Sequence, residues 1–181
     1  RKLLPYFNTK YRISWSKIEE VKSVSEITHP SIKACLNYLE IKDGLEIHTV
    51  GDLPARSGLG SSSSFTAALL SALYYYKNQT FTNTEIAKQT IHVEQNILKE
   101  NVGLQDQIQV CHGGFNVTTI FPDSSYSTLS LNNTSSFVRE INESLILVYS
   151  GITRFSSDIH TTNKKIIDNS VYNSSLETIA Q

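Results

Sequence analysis

Asp52-Leu53-Pro54-Ala55-Arg56-Ser57-Gly58-Leu59-Gly60-Ser61-Ser62-Ser63-Ser64 stands between a strand pattern, Leu45 to Val50, and a long helical one. Glycines at 58 and 60 let the backbone turn sharply and come close to a ligand, because neither carries a side chain. Serines at the start of a helix leave backbone N–H groups pointing out of its N-terminus with hydroxyls beside them. Unpaired donors and a partial positive charge make such a terminus an anion site, and phosphate is its natural ligand.

Four other readings compete. Ser61 to Ser64 could simply cap a helix, yet one serine suffices for that. A dinucleotide-binding turn lacks its third glycine here, and no acidic residue occupies Asn78 to Thr82, where its ribose partner would fall. A P-loop would need Gly-Lys-Ser/Thr, which does not follow. A serine hydrolase would need the Gly-x-Ser-x-Gly elbow, which is absent.

Upstream, Tyr11 to Trp15 alternates polar and apolar residues as a strand does. Thr28 to Leu39 reads as a helix, with Pro30 in its first turn and Ile32, Cys35, Leu36 and Leu39 at helical spacing. Downstream, Phe65, Ala68, Leu69, Ala72, Leu73 and Tyr76 recur at the period of a single apolar helix face. Thr82 and Glu85 form a capping box for a helix running to about Glu100, with Asn101 and Gly103 as stop residues. Gly113-Gly114 breaks the chain before a strand, Phe115 to Phe121. The polar stretch Asp123 to Ser136 reads as an exposed hairpin or loop, and Leu145 to Tyr149 as a buried strand. Strands and helices mix without regular alternation, so an α+β fold is expected rather than a doubly wound sheet.

Two carboxylates draw attention. Ala87, Ile91, Glu94 and Leu98 share one helical stripe, so Glu94 points from an inward-facing row. A buried carboxylate needs a partner, and a magnesium ion bridging nucleotide phosphates would be one. Asp106 lies in Gly103-Leu104-Gln105-Asp106-Gln107, between one glycine break and the next. Alone, each would read as a solvated surface carboxylate; together they say more.

The net charge is −1, with both signs mixed along the chain. That argues against a nucleic-acid or membrane-surface protein, which would carry a basic stripe. No stretch reads as a membrane span or a signal peptide. The two cysteines, Cys35 and Cys111, do not form a disulfide framework or zinc motif, and a reducing cytoplasm is expected. The chain begins at Arg1 and contains no methionine, so it is expected to be part of a longer protein.

Pro54-x-x-x-Gly58-Leu59-Gly60-Ser61-Ser62-Ser63 resembles the phosphate loop of the GHMP kinases, the superfamily of galactokinase, homoserine kinase and mevalonate kinase. The string from His92 through Glu94, Gly103-Leu104-Gln105-Asp106-Gln107 and Gly113-Gly114-Phe115-Asn116 is similar to the branch holding heptose phosphate kinases and fucokinase-type sugar kinases. A weaker echo is Gly151 to Asp158. The resemblance implies an α+β domain related to the second domain of ribosomal protein S5, spanning 1–181 as an ATP-binding N-terminal domain. The family's N-terminal Gly-Gly-Gly-Thr-Asp stretch and its C-terminal glycine-rich motif and domain are not in this sequence. It implies ATP and magnesium as cofactors and a small sugar or sugar phosphate, such as a heptose 7-phosphate, as substrate. By the same resemblance Pro54, Arg56, Ser57, Gly58, Leu59, Gly60, Ser61, Ser62 and Ser63 would cradle the triphosphate. Ser62, or Ser61, would join Glu94 at the metal, and Asp106 would orient or deprotonate the sugar hydroxyl. Arg154 would either meet a substrate phosphate or lie exposed. The rival expectation is a catalytically silent domain of the same fold that serves binding or regulation.

Overall fold

The computed structural model describes residues 1–4, 6, 8–52, 58–131 and 136–148. Strands β1 (Tyr11–Ser14), β2 (Ile18–Val21) and β3 (Leu45–His48) form one sheet in the order β2-β1-β3. β1 runs antiparallel to β2, pairing Tyr11 with Val21, and parallel to β3, pairing Tyr11 with Leu45. Parallel neighbours need a crossover, and helix α1 (Pro30–Tyr38) lies within this one. Its start follows from local chemistry: Pro30 occupies the first turn, and the His29 ring accepts the Ile32 N–H. The expected alternation in β1 holds, with Tyr11 and Ile13 buried.

Helices α2 (Ser61–Tyr76), α3 (Asn83–Ile91) and α4 (Gln105–His112) pack together, with α2 also against α1. Thr82 and Glu85 make the expected capping box at the start of α3. α3 does not run straight to Glu100. From His92–Ile97 it widens into a π-helical turn, in which the Leu98 N–H donates to the Val93 carbonyl, and the Glu100 N–H then closes the helix end on the Glu94 carbonyl. Such turns insert an extra residue into a helix and re-aim its side chains. Here the turn carries Glu94.

The core joins Tyr11 and Ile13 of the sheet to Ile32 and Leu36 of α1, Leu70 and Leu73 of α2, and Val93. On α2 the buried face differs from the one expected. Ala68 and Ala72 are exposed, while Ser63, Thr66, Ala67, Leu69, Leu70 and Leu73 are buried. The helix is apolar around most of its girth. The positions of α1, α3 and α4, rather than its own periodicity, therefore select the inward side.

Strand β4 (Asn116–Ile120) lies where a strand was expected, and it forms a separate antiparallel hairpin with β5 (Tyr126–Ser130); the stretch from Asp123 thus supplies one strand of that hairpin rather than a hairpin of its own. Helix α5 (Ser136–Ser144) follows. The strand expected at Leu145 to Tyr149 is not found at 145–148: these residues carry no strand and are exposed, with Leu145 at 72% and Val148 at 80%. An apolar run becomes a strand when a neighbour supplies a ladder, and no described strand lies beside this one. Tyr149 lies outside the described residues. No described helix is long and apolar enough to cross a membrane.

Candidate functional site

Gly60 caps α2 in the left-handed conformation, φ 68°, with no side chain closing the helix end. The first bond of the helix runs from the Ser64 N–H to the Gly60 carbonyl at 2.8 Å. The amides of Ser61, Ser62 and Ser63 therefore point outward with no acceptor among the described residues, as the first turn of any helix leaves them. Gly58 also has positive φ, 79°, and a Cβ built there would meet nothing within 4 Å among the described residues. No described side chain blocks the backbone at 58, the condition for close approach of an anion. Leu59 is exposed, Ser61 is half-buried, and Pro54, Arg56 and Ser57 lie outside the described residues, as does Arg154.

Glu94 is 1% exposed. A solvated position at the rim, the alternative open to it from sequence alone, is thus excluded. Two donors meet one of its oxygens: Ser63 Oγ donates to Oε2 at 2.9 Å, and Gln107 Nε2 donates to the same Oε2 at 2.5 Å. The other oxygen, Glu94 Oε1, is buried without a partner among the described residues, and so is Gln107 Oε1.

Glu19 shows what a purely structural buried carboxylate looks like in the same molecule. Its Oε1 accepts from Trp15 Nε1 at 2.8 Å and its Oε2 from the Thr28 N–H at 2.7 Å. Burial pushes its pKa up, but the bonds from Thr28 and Trp15 outweigh that and hold it below the ordinary carboxylate value. Both oxygens of Glu19 are satisfied, whereas one of Glu94 is not. An orphaned buried oxygen is costly unless something fills its coordination, so Glu94 fits a hard cation that takes oxygen ligands. Among the described residues no cluster of three or more His, Cys, Asp or Glu side chains is gathered to hold a metal. A magnesium ion sharing ligands with nucleotide phosphates needs just one or two carboxylates.

The serine that reaches Glu94 is Ser63. Ser62, expected beside Glu94 at the metal, is exposed, and its carbonyl accepts from Thr66 Oγ1. Successive residues on a helix diverge by about 100°, so Ser62 and Ser63 face different sides of α2.

Asp106 sits in the first turn of α4, exposed to solvent. It lies directly against the phosphate-type loop: a Cβ built on Gly60 would stand 3.5 Å from Asp106 Cβ and 3.6 Å from Asp106 Cγ. α4 thus carries Asp106 toward the mouth and Gln107 into the interior. Sequence reasoning missed Gln107. Its spacing was informative, since Gln107, Ile108 and Cys111 fall in one sector of α4 and the first two are buried.

His92 is exposed, its ring 5.4 Å from that of Tyr38, in line with a structural role. Cys35 is fully buried, and burial followed by the charge of Glu94 pushes its thiol up to about 12, which leaves it an inert core residue. Two surface grooves lie elsewhere. One, of about 720 Å³, is bordered by Tyr38, Tyr74 and Lys77, and the other, of about 450 Å³, by Lys10, Lys22 and Lys42. Neither includes Glu94, Asp106 or the first turn of α2.

A glycine-capped helix start, a buried glutamate on the next helix and an aspartate beside the glycine together make the candidate site. Residues 27–114 match the GHMP kinases N terminal domain, and this segment belongs to that family. D-glycero-alpha-D-manno-heptose 7-phosphate kinase of Campylobacter jejuni is 30% identical over 118 residues, covering 65% of this chain and 35% of that protein. The bifunctional fucokinase/GDP-fucose pyrophosphorylase of Arabidopsis thaliana is 30% identical over 118 residues, covering 64% of this chain and 11% of that protein. The match thus spans about a third of the first relative and about a tenth of the second. In fold, the chain is similar to a crystal structure of a D-glycero-D-manno-heptose 1-phosphate kinase from Bacteroides thetaiotaomicron. The TM-score is 0.61 at 22% identity, over 67% of this chain and 44% of that one. The expected α+β class is borne out, and so is the expected likeness to the GHMP kinases over residues 27–114.

Proposed function

We propose that the full-length protein transfers a phosphoryl group from ATP to a hydroxyl of a sugar or sugar phosphate, with a heptose 7-phosphate as the favoured acceptor. The observation that carries this is the pairing of a buried, half-satisfied Glu94 with the open amide terminus of α2, beside Asp106. The heptose assignment is supported by the similarity to the Campylobacter jejuni kinase.

The amides of Ser61 to Ser63 and the backbone at Gly58 and Gly60 would hold phosphate oxygens. Glu94 would present Oε1 toward magnesium, with Ser63 holding its other oxygen. When bound with the nucleotide, magnesium neutralises charge on the β- and γ-phosphates. Asp106 would accept a hydrogen bond from the attacking hydroxyl, orienting it and drawing its proton. A carboxylate is a weak base for an alcohol, so orientation and electrostatic support weigh more than full proton removal. Position and charge dominate phosphoryl transfer, which suits a site with few reactive side chains. Dependence on ATP fits a cytoplasmic enzyme.

The test is a coupled ADP-release assay on the full-length protein with a panel of hexoses, heptoses and their phosphates. Turnover with one acceptor class, lost in Asp106→Asn, supports the proposal. ATP binding without turnover on any acceptor would favour the catalytically silent alternative.

A further inference from the structure

Among the described residues Glu94 Oε2 receives both donors, and Glu94 Oε1 receives none. This asymmetry has two sources in different parts of the chain. Ser63 reaches Oε2 from the first turn of α2, and Gln107 reaches it from the first turn of α4. We propose that Gln107 is the positioning residue of this site: its amide pins Glu94 Oε2 and thereby holds Oε1 free as the oxygen offered to a divalent cation. The proposal rests on the functional reading above and deepens it.

The chemistry of the amide supports the role. Its orientation is dictated by the carboxylate, since turning Gln107 Oε1 toward Glu94 would set oxygen against oxygen. Gln107 is 1% exposed, so the amide is not a surface group that happens to touch Glu94. A carboxamide donates to a carboxylate without adding charge, whereas a lysine or arginine there would neutralise Glu94 and compete with the cation. Gln107 directly follows Asp106, so a single helical turn sets both groups. Displacement of the start of α4 would move the aspartate at the mouth and the pin on the glutamate together.

Gln107→Met keeps length and packing while removing the donor. The measurement is the affinity of the full-length protein for ADP by calorimetry, across a magnesium titration and in EDTA, with the melting temperature of the ligand-free protein recorded in parallel. Partners that orient a metal ligand are typically worth 10- to 100-fold in metal affinity. The magnesium concentration for half-maximal strengthening of ADP binding should rise by about tenfold or more, with ADP affinity in EDTA unchanged. A lowered melting temperature with an unchanged magnesium requirement would reduce Gln107 to a packing residue and overturn the proposal. Should the Met variant not fold, Gln107→Asn, which withdraws the amide by one carbon, is read by the same titration with the same two outcomes. Wild-type protein whose ADP affinity does not respond to magnesium would instead overturn the functional reading, and the proposal with it.

Discussion

Gly60 faces Asp106 across two helix N-termini: the position a Gly60 Cβ would take lies 3.5 Å from Asp106 Cβ and 3.5 Å from Val110 Cγ1. The glycine that shapes the loop therefore also sets the distance between loop and aspartate. Its φ of 68° is one that side chains rarely adopt.

Gly60→Ala tests that link. The methyl group would find room at ordinary contact distance, so the penalty is conformational, about 1 kcal/mol of stability. Relaxation of the strain would shift the α2 terminus relative to Asp106, and turnover should fall more than stability does. Urea unfolding and steady-state kinetics on the same preparation compare the two. A variant with lowered stability and wild-type kcat would mean that the aspartate is placed independently of Gly60.

Asp106→Asn keeps the shape of the side chain and removes its charge. Turnover is expected to fall by a factor on the order of 10² or more, with ATP affinity little altered. Full turnover with weakened sugar binding would make Asp106 a substrate-binding residue instead.

Glu94→Gln should act in opposite directions on function and stability. Turnover should drop on the order of 10² at saturating magnesium, because charge neutralisation at the phosphoryl group is lost. The ligand-free protein should be no less stable and is expected to gain about 1 kcal/mol, since a buried charge with one unpartnered oxygen has been removed. Kinetics and thermal unfolding without ligand read the two effects. Near-normal turnover would remove Glu94 from the site.

Glu46, on β3, gives a pH dependence remote from the site. The Arg1 guanidinium bonds its carboxylate at 2.6 Å, and the His48 ring lies 2.7 Å away; these hold its pKa at about 2, below the ordinary 4.5. A carboxyl pKa lowered in the folded state contributes stability that is present above the unfolded value and lost as pH falls toward the folded one. The full-length protein should lose stability between about pH 4.5 and pH 2 in part through this group. In acid unfolding curves Glu46→Gln should show a shallower slope in that window, and identical slopes would show that the interaction does not persist in solution.

Much of this architecture was legible locally. Gly58 and Gly60 ahead of a serine run announced a glycine-capped helix start, and both do take positive φ. Thr82 and Glu85 announced their own capping box, and Gly113-Gly114 announced the break before β4, again with positive φ at both. Glu94 was legible as an inward-facing carboxylate. What it faces was not, because Ser63 is 31 residues away and Gln107 is 13.

The inward face of α2, the π-helical turn under Glu94, the choice of Ser63 over Ser62 as its partner, and the exposure of 145–148 were all outside the reach of local pattern. Backbone turns, caps and helix starts are set by the φ preferences and hydrogen-bonding reach of residues within one turn of each other, so the sequence by itself determined them. Burial and side-chain partners are set by which surfaces three or four helices present to one another. Tertiary packing alone therefore decided that one glutamate oxygen is held by two donors and the other is left open.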